Sequence, residues 1–274
     1  MQIIDEYISI ILLFLKKAGK LALNNQDLIT GCSKCDGSIV TETDLKISAM
    51  FKKTIEKNFK NHFILDEETA LKIKNLKEKT YNSEFVWIID PIDGTKAYFH
   101  GSNLFAISVA LYKNLKPIFS IIYLPSSNEI IYNNEKSVFL ITNAFKRNEI
   151  KLELFFAKKE LNKNSLVCFA VKNAKDYIKD YKFTFIDSYS AYVYAFDVFK
   201  NVAQGAFLKD NISMWDVYGS LPIANKLGMG IYNINNSSKL QKLDFDLFKD
   251  TLKAKNIWLI CHESYKDEMM SVVK

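Results

Sequence analysis

Apolar residues at Ile3, Ile4, Tyr7, Ile8, Ile11, Leu12 and Leu15 recur at helical spacing, so the first two dozen residues are expected to form an amphipathic helix. A loop is expected from about Asn24 to Ser38. A second helix should then start near Thr43 or Asp44 and run to Phe59, with Leu45, Phe51, Ile55 and Phe59 on its buried side. Two short apolar runs, Phe63-Ile64-Leu65 and Phe85-Val86-Trp87-Ile88-Ile89, are too brief for helices and read as buried strands. Each ends in acid. The first runs into Asp66-Glu67-Glu68 and the second into Asp90, and in layered α/β folds ligand chemistry collects at strand ends.

Beyond Gly101 the pattern changes to alternating runs at 104–112 and 117–124, joined by Lys113-Asn114-Leu115-Lys116, which predict a hairpin; further strands are expected near 129–132 and 137–141. From about residue 165 strands and helices alternate again. The expected order is strand Ser165 to Val171, helix Asn173 to Tyr181, strand Phe183 to Ile186, helix Ser190 to Ala203 and strand Ala206 to Leu208. A helix should follow Trp215-Asp216, then a strand through Ile257 to Ile260 and a closing helix. The change of pattern divides the chain into an α+β sub-domain, residues 1–150, that carries most of the acids discussed below, and an α/β sub-domain, residues 151–274, that contributes Asp216.

A chain of 274 residues with 49% apolar residues can bury a substantial core. Its most apolar stretch, Tyr7 to Leu15, is half of what a membrane-spanning helix needs and is preceded by Asp5 and Glu6, so neither an integral span nor a signal peptide is expected. The four cysteines, at 32, 35, 168 and 261, are too few and too scattered for a disulfide framework, which favours a cytoplasmic protein, free or peripheral at the inner membrane. The net charge of +6 is almost entirely lysine, with Arg147 the single arginine, and no basic helix or aromatic-basic stripe suggests a nucleic-acid polymer. Any phosphate group must therefore be held by metal ions, backbone N–H groups and lysines rather than by arginine forks.

Asp90 and Asp93 bracket a Pro-Ile pair directly after a buried strand. Proline removes a donor and fixes one dihedral, and Gly94 then permits a tight turn, so both carboxylates can be aimed at one point. The N–H groups of Gly94 and Thr95 would be left at a helix start, where an anion binds readily. Glu67 ends one predicted strand, Asp216 opens a predicted helix and Asp44 follows Thr41-Glu42-Thr43. Several acids at element ends, with three histidines in the whole chain, describe an oxygen site for a hard cation, Mg²⁺ before Mn²⁺. Such sites suit phosphoryl chemistry.

Four dispersed segments, Lys34 to Asp44, Glu67-Glu68, Trp87 to Lys96 and Trp215-Asp216, resemble in order the motifs of the inositol monophosphatase superfamily of lithium-sensitive, Mg²⁺-dependent phosphatases. The block Asp-Pro-Ile-Asp-Gly-Thr is the most specific of them. The resemblance implies a layered αβαβα sandwich of two sub-domains and two or three metal ions. Glu67, Asp90 and the Ile92 carbonyl would hold the first, and Asp90, Asp93 and Asp216 the second. Gly94 and Thr95 would grip the phosphate, and Glu67, or Thr95 paired with Asp44, would orient the attacking water. Asp93, Lys96 and Asp216 complete the implied substrate contacts. Lys96 after Thr95, and the run from Pro117 to Pro125, resemble the CysQ-like 3'(2'),5'-bisphosphate nucleotidases, which implies conversion of adenosine 3',5'-bisphosphate to AMP and phosphate. Inositol or another sugar monophosphate is the alternative substrate, and a non-catalytic phosphometabolite-binding protein the alternative from another class; an oligomer is compatible with all three.

The departures from the family pattern fall where substrate is chosen. Ile39 stands in place of the proline before Val40, and Ser190-Ala191-Tyr192 in place of a Gly-Ser. Lys226-Leu227-Gly228-Met229 replaces Glu-Ala-Gly-Gly, and Pro222 falls inside the helix expected after Trp215. Cys32-Ser33-Lys34-Cys35, with Cys261-His262, is a weak zinc or redox signal, and His62 and His100 are expected in structural or surface roles. Trp215 is expected to anchor Asp216 by packing.

Overall fold

The helix expected at the start of the chain is α1, Gln2–Asn25, and its Ile11, Leu15, Ala18 and Ala22 are fully buried. The computed structural model describes residues 2–26, 31–33, 39–169, 177–180, 182–187, 190–208, 212–248, 252–254 and 257–274. A short hairpin of β1 (Gly31–Ser33) and β2 (Ile39–Thr41) leads into α2 (Glu42–Asn58), whose first turn is closed by a capping box between Thr41 and Asp44. Burial on α2 follows Ile47, Phe51 and Ile55, four residues apart, with Phe59 just beyond. Leu45, expected on that face, is 48% exposed. It stands two positions from Ile47, and residues two apart on a helix point in different directions.

A seven-stranded sheet follows, in the order β3-β4-β5-β6-β7-β8-β9. Its strands are Phe63–Asp66, Phe85–Asp93, Ala106–Lys113, Lys116–Leu124, Glu129–Asn133, Val138–Thr142 and Ile150–Leu154. A short helix α3 (Leu76–Tyr81) joins β3 to β4, which run parallel; every other neighbouring pair is antiparallel. β9 was not expected from the sequence; Ile150 and Leu152 are half-exposed and alternate with Lys151 and Glu153, and Leu154 alone packs on the core. The strand belongs to this sheet although it lies beyond the division read near residue 150.

The second sheet has the order β11-β10-β12-β16-β14, built from Thr184–Ile186, Leu166–Phe169, Gly205–Leu208, Trp258–His262 and Met229–Asn233, while β13 (Ile212–Ser213) and β15 (Lys253–Ala254) form a separate antiparallel pair. Between the sheets lie α5 (Ala191–Phe199), α6 (Met214–Tyr218) and α7 (Leu221–Lys226). The single helix expected after Trp215 is therefore two, broken at Gly219-Ser220. Pro222 sits in the first turn of the second helix, where its missing N–H costs nothing, rather than in a helix interior. A closing helix α8 (Lys266–Met270) covers the outer face. The expected helix Asn173 to Tyr181 falls mostly outside the described residues, as do Lys34 and Cys35.

Strand alternation sorts the core into layers. Trp87, Ile89, Ile107, Val109, Leu111, Phe119 and Ile121 point to α1 and α2, while Val86, Ile88, Ala110, Tyr112 and Ile122 point to the middle helices. Those helices also pack on Ala206, Leu208, Ile231 and Ile260 of the second sheet. Val167, Phe207, Leu259 and Cys261 face the other way, onto Tyr265, Met269 and Val273. The result is an αβαβα sandwich. A fully buried Leu or Ile side chain contributes about 1.5–3 kcal/mol, so Ile11 and Leu15 alone bind α1 firmly to its sheet.

Candidate metal centre

Asp90 and Asp93 lie on one strand, β4, an odd three residues apart, and on a regular strand they would point to opposite faces. The register against β5 shifts between them: Asp90 pairs with Ser108 and Asp93 with Ala106, so β4 carries one extra residue. That bulge, at Pro91-Ile92, turns Ile92 into the α1/α2 core and brings Asp93 to the same side as Asp90. Proline is tolerated there because a bulge needs no ladder donor. Asp216 reaches the same point from α6, where it serves as third residue of a capping box: its Oδ2 accepts the N–H of Ser213 at 3.2 Å. One carboxylate oxygen from each of Asp90, Asp93 and Asp216 lies within 4.8 Å of the others.

Glu67 joins this group through Asp90, to whose carboxyl group it is hydrogen-bonded. It stands just past β3, and its N–H donates to the Ile89 carbonyl of β4 at 3.3 Å. The turn that presents it is tied by Asp66, which accepts from Ser48 Oγ, from the Glu68 N–H at 3.1 Å and from Thr69 Oγ1 at 3.0 Å. Asp66 is thus occupied in holding the turn, while Glu67 faces Asp90.

The electrostatics are unfavourable without a cation. Asp90 is 1% exposed, and burial, together with the nearby charges of Glu67, Asp93 and Asp216, pushes its carboxyl well above the usual carboxylate range. Its Oδ1 is buried and has no hydrogen-bond partner among the described residues. An orphaned acceptor at the meeting point of three carboxylates fits a hard divalent cation, and the donor set is all oxygen.

Thr95 closes the other side. Gly94 adopts a left-handed conformation, φ 85°, that admits the turn between β4 and the short helix α4, Thr95–Phe99. Thr95 Oγ1 lies 2.8 Å from the Ile92 carbonyl oxygen and 3.4 Å from Asp44 Oδ1. Asp44 is completely buried and also accepts from the Thr41 N–H at 2.9 Å and from Thr41 Oγ1. The structure therefore brings Asp44, Glu67, Asp90, Ile92, Asp93, Gly94, Thr95 and Asp216 around one point. Lys96 is exposed at its rim and forms no ion pair with a described residue.

Sequence reasoning missed the groups that hold Asp93. Ser190 Oγ and the Tyr192 N–H both donate to Asp93 Oδ2, the second at 2.7 Å. Ser190 also caps α5 by accepting the Val193 N–H, and a serine ahead of an apolar run does signal such a cap; nothing in the pattern links it to Asp93. The Tyr192 hydroxyl donates to the Trp215 carbonyl, next to Asp216. Trp215 is buried in the middle layer, as expected. His62, half-buried, stacks on Phe85 at 4.4 Å and accepts from the Trp87 indole, and Cys261 is buried in β16 with its thiol pushed up by desolvation; neither belongs to the carboxylate cluster.

The sequence model of the inositol monophosphatase family matches residues 6–271. The chain belongs to this family. A fructose-1,6-bisphosphatase/inositol-1-monophosphatase of Thermotoga maritima is 34% identical over 125 residues, 45% of each chain. Such local matches span about a third to a half of the curated relatives' length, from 35% to 46% for the Aquifex aeolicus and Dictyostelium discoideum proteins. The fold extends much further. An inositol monophosphatase structure of Thermotoga maritima superposes with a TM-score of 0.75 at 22% identity, covering 99% of this chain and 96% of the other. A calcium-bound family member from Staphylococcus aureus gives a TM-score of 0.77 at 18% identity, covering 98% and 95%. Among the described residues no helix is long and apolar enough to cross a membrane.

Proposed function

We propose that this protein is a divalent-metal-dependent phosphomonoesterase. The observation that carries the reading is the convergence of Asp90, Asp93 and Asp216 within 4.8 Å, with an unpartnered buried oxygen on Asp90. Asp90, Asp93 and Asp216, with Glu67 and the Ile92 carbonyl, would hold Mg²⁺ or Mn²⁺. When bound, such ions neutralise phosphate oxygens and lower the pKa of water. The chain's own groups then have definite tasks. Thr95 Oγ1, set between the Ile92 carbonyl and Asp44, orients a water for in-line attack, and Asp44 or Glu67 takes its proton. The N–H groups of Gly94 and Thr95 hold the phosphate. The net reaction adds water across the P–O bond, giving an alcohol and inorganic phosphate.

For the substrate we propose adenosine 3',5'-bisphosphate, cleaved to AMP. What supports it is Lys96, an exposed ammonium beside the phosphate turn with no ion-pair partner among the described residues, available to a second anionic group. A second reading, inositol 1-phosphate or another sugar phosphate, is favoured by the names of the relatives, which include inositol monophosphatases and fructose-1,6-bisphosphatase/inositol-1-monophosphatases. Release of phosphate from adenosine 3',5'-bisphosphate, inositol 1-phosphate and fructose 1,6-bisphosphate, each with Mg²⁺, separates them. A preference for the nucleotide is expected; preference for either sugar ester overturns that assignment, and no release from any of the three removes the phosphatase reading for these substrates.

A further inference from the structure

Two elements supply the clustered aspartates: Asp90 and Asp93 stand on β4, and Asp216 stands on α6. The span between Asp216 and the other two is therefore set by how α6 is held against the sheet. Two buried phenols reach that helix. Tyr112 of β5 donates to the Tyr218 carbonyl at the end of α6 at 2.7 Å, and Tyr192 of α5 donates to the carbonyl of Trp215, next to Asp216. Both carbonyls are among the last four of α6, which a helix leaves to partners outside it.

Tyr192 differs from Tyr112 in what else it touches. Its backbone N–H donates to Asp93 Oδ2 at 2.7 Å, and its hydroxyl is also hydrogen-bonded to Ser108, the residue of β5 paired with Asp90. One residue thus contacts Asp93 itself, the neighbour of Asp90 across the ladder and the neighbour of Asp216 along the chain. Gly219 makes room for this arrangement, since a Cβ there would meet both the Tyr192 hydroxyl and Ser108 Oγ. Tyr192 is also completely buried, so at the departure Ser190-Ala191-Tyr192 the tyrosine has no surface to offer a substrate. What it adds is a link between the elements that carry the carboxylates.

We propose that Tyr192 is a positioning residue whose hydroxyl sets the span between Asp216 and the Asp90–Asp93 pair, and thereby the preference of the centre for Mg²⁺ over Ca²⁺. The inference rests on the divalent-metal reading given above. Magnesium takes oxygen ligands at about 2.0–2.1 Å in near-ideal octahedral geometry, whereas calcium accepts about 2.3–2.6 Å and a looser set. A span held by a hydroxyl that is itself fixed by Ser108 and the Trp215 carbonyl suits the smaller ion. A span free to widen loses the bonds of that ion first and costs calcium little.

Calorimetric titration of the metal-stripped full chain with Mg²⁺ and with Ca²⁺ tests this in wild type, Tyr192→Phe and Tyr112→Phe, with far-UV circular dichroism to confirm folding and Tm in chelator to report stability. Tyr192→Phe keeps the ring and the N–H on Asp93 and loses the hydroxyl alone. Its Mg²⁺ affinity should fall by about 10- to 100-fold, the range for a group that orients a ligand, and its Ca²⁺ affinity by much less, so the ratio of the two drops. Tyr112→Phe gives up the same kind of buried bond to the same helix and should lower Tm while keeping the wild-type ratio. Ser108→Ala, which removes the other partner of the Tyr192 hydroxyl, stands in should Tyr192→Phe not fold, and the same drop in ratio is then required of it. Where wild type binds Mg²⁺, an unchanged ratio in Tyr192→Phe, or an equal drop in Tyr112→Phe, overturns this inference alone. A wild type that binds neither ion overturns the metal reading together with it.

Discussion

The N–H of Tyr192 donates to Asp93 Oδ2 at 2.7 Å across 99 positions of chain. Asp93 lies at the bulged end of β4 and Tyr192 in the first turn of α5, so the hydrogen bond joins the seven-stranded sheet to the middle helix layer at the carboxylate cluster. With the Ser190 hydroxyl on the same oxygen, two donors from the start of α5 fix the Asp93 carboxylate in place.

Asp93→Asn and Asp216→Asn, made singly, should each abolish most phosphatase activity with the fold unchanged by circular dichroism. Loss of a proposed metal carboxylate should cost more than the roughly 10- to 100-fold typical of a group that only orients a ligand. Ser190→Ala belongs to the latter class, and its activity should be partly recovered by raising Mg²⁺. Near-wild-type turnover of Asp93→Asn at millimolar Mg²⁺ would exclude the site.

Asp90 governs how the metal-free protein responds to pH. Its carboxyl is raised in the folded state by burial and by Glu67, Asp93 and Asp216, whereas in the unfolded chain it titrates near the ordinary value of about 3.9. Between those two values the folded state keeps a proton that the unfolded state has lost. Stability therefore falls as pH rises through this window and stays lower above it. In a chelator, Asp90→Asn should raise Tm at neutral pH, and the gain should vanish as pH falls below about 4. A variant no more stable than wild type at pH 7 would contradict the raised Asp90 carboxyl.

Activity should disappear in a strong chelator and return with Mg²⁺ or Mn²⁺. Excess Ca²⁺ should suppress it, because calcium takes longer bonds and more ligands. Lithium inhibition is expected from the family resemblance. At a Mg²⁺ concentration about 100 times its Kd, the folded state gains about 2.7 kcal/mol, readable as a rise in Tm that Asp90→Asn should lose.

Lys96→Thr tests the substrate assignment. A charged contact to phosphate is worth about 1.5–3 kcal/mol, hence about one to two powers of ten in kcat/KM. The loss should fall on adenosine 3',5'-bisphosphate and spare inositol 1-phosphate when both are measured at one ionic strength. An unchanged ratio between the two substrates would remove any selectivity role for Lys96.

Gly219→Ala should damage the site without touching a carboxylate. A Cβ at Gly219 would run into the Tyr192 hydroxyl and Ser108 Oγ, both buried, and the tyrosine could yield only by leaving the Trp215 carbonyl. Overpacking of this kind costs about 1–3 kcal/mol. Chemical denaturation should show that loss together with a lower affinity for Mg²⁺, and wild-type values of both would refute it.

Much of this was legible in the chain. The apolar runs that end in acid are β3 and β4, and Glu67, just past the end of β3, does meet Asp90 and Asp93 of β4. What periodicity could not supply was the bulge at Pro91-Ile92, which decides that Asp90 and Asp93 share a face; the spacing alone argues the reverse. Leu45 misled because its hydrophobicity belongs to the exposed side of α2, and β9 escaped because so short a half-charged run, directly after the polar stretch Lys146 to Glu149, reads as loop. The grip of Ser190 and Tyr192 on Asp93 depends on how two sheets stack, a relation between distant segments that no local pattern carries.

The cluster's dependence on Asp216 also has a temporal side. Asp216 is synthesised 126 positions after Asp90, which at about 5–20 residues per second is a delay of roughly 6–25 s on the ribosome. Throughout that interval the acids of β4 are made but lack the group from α6 that completes them. A nascent chain thus carries the most recognisable motif of the protein while the cluster is still incomplete, and Asp216 joins it only once the second half has been made and has docked.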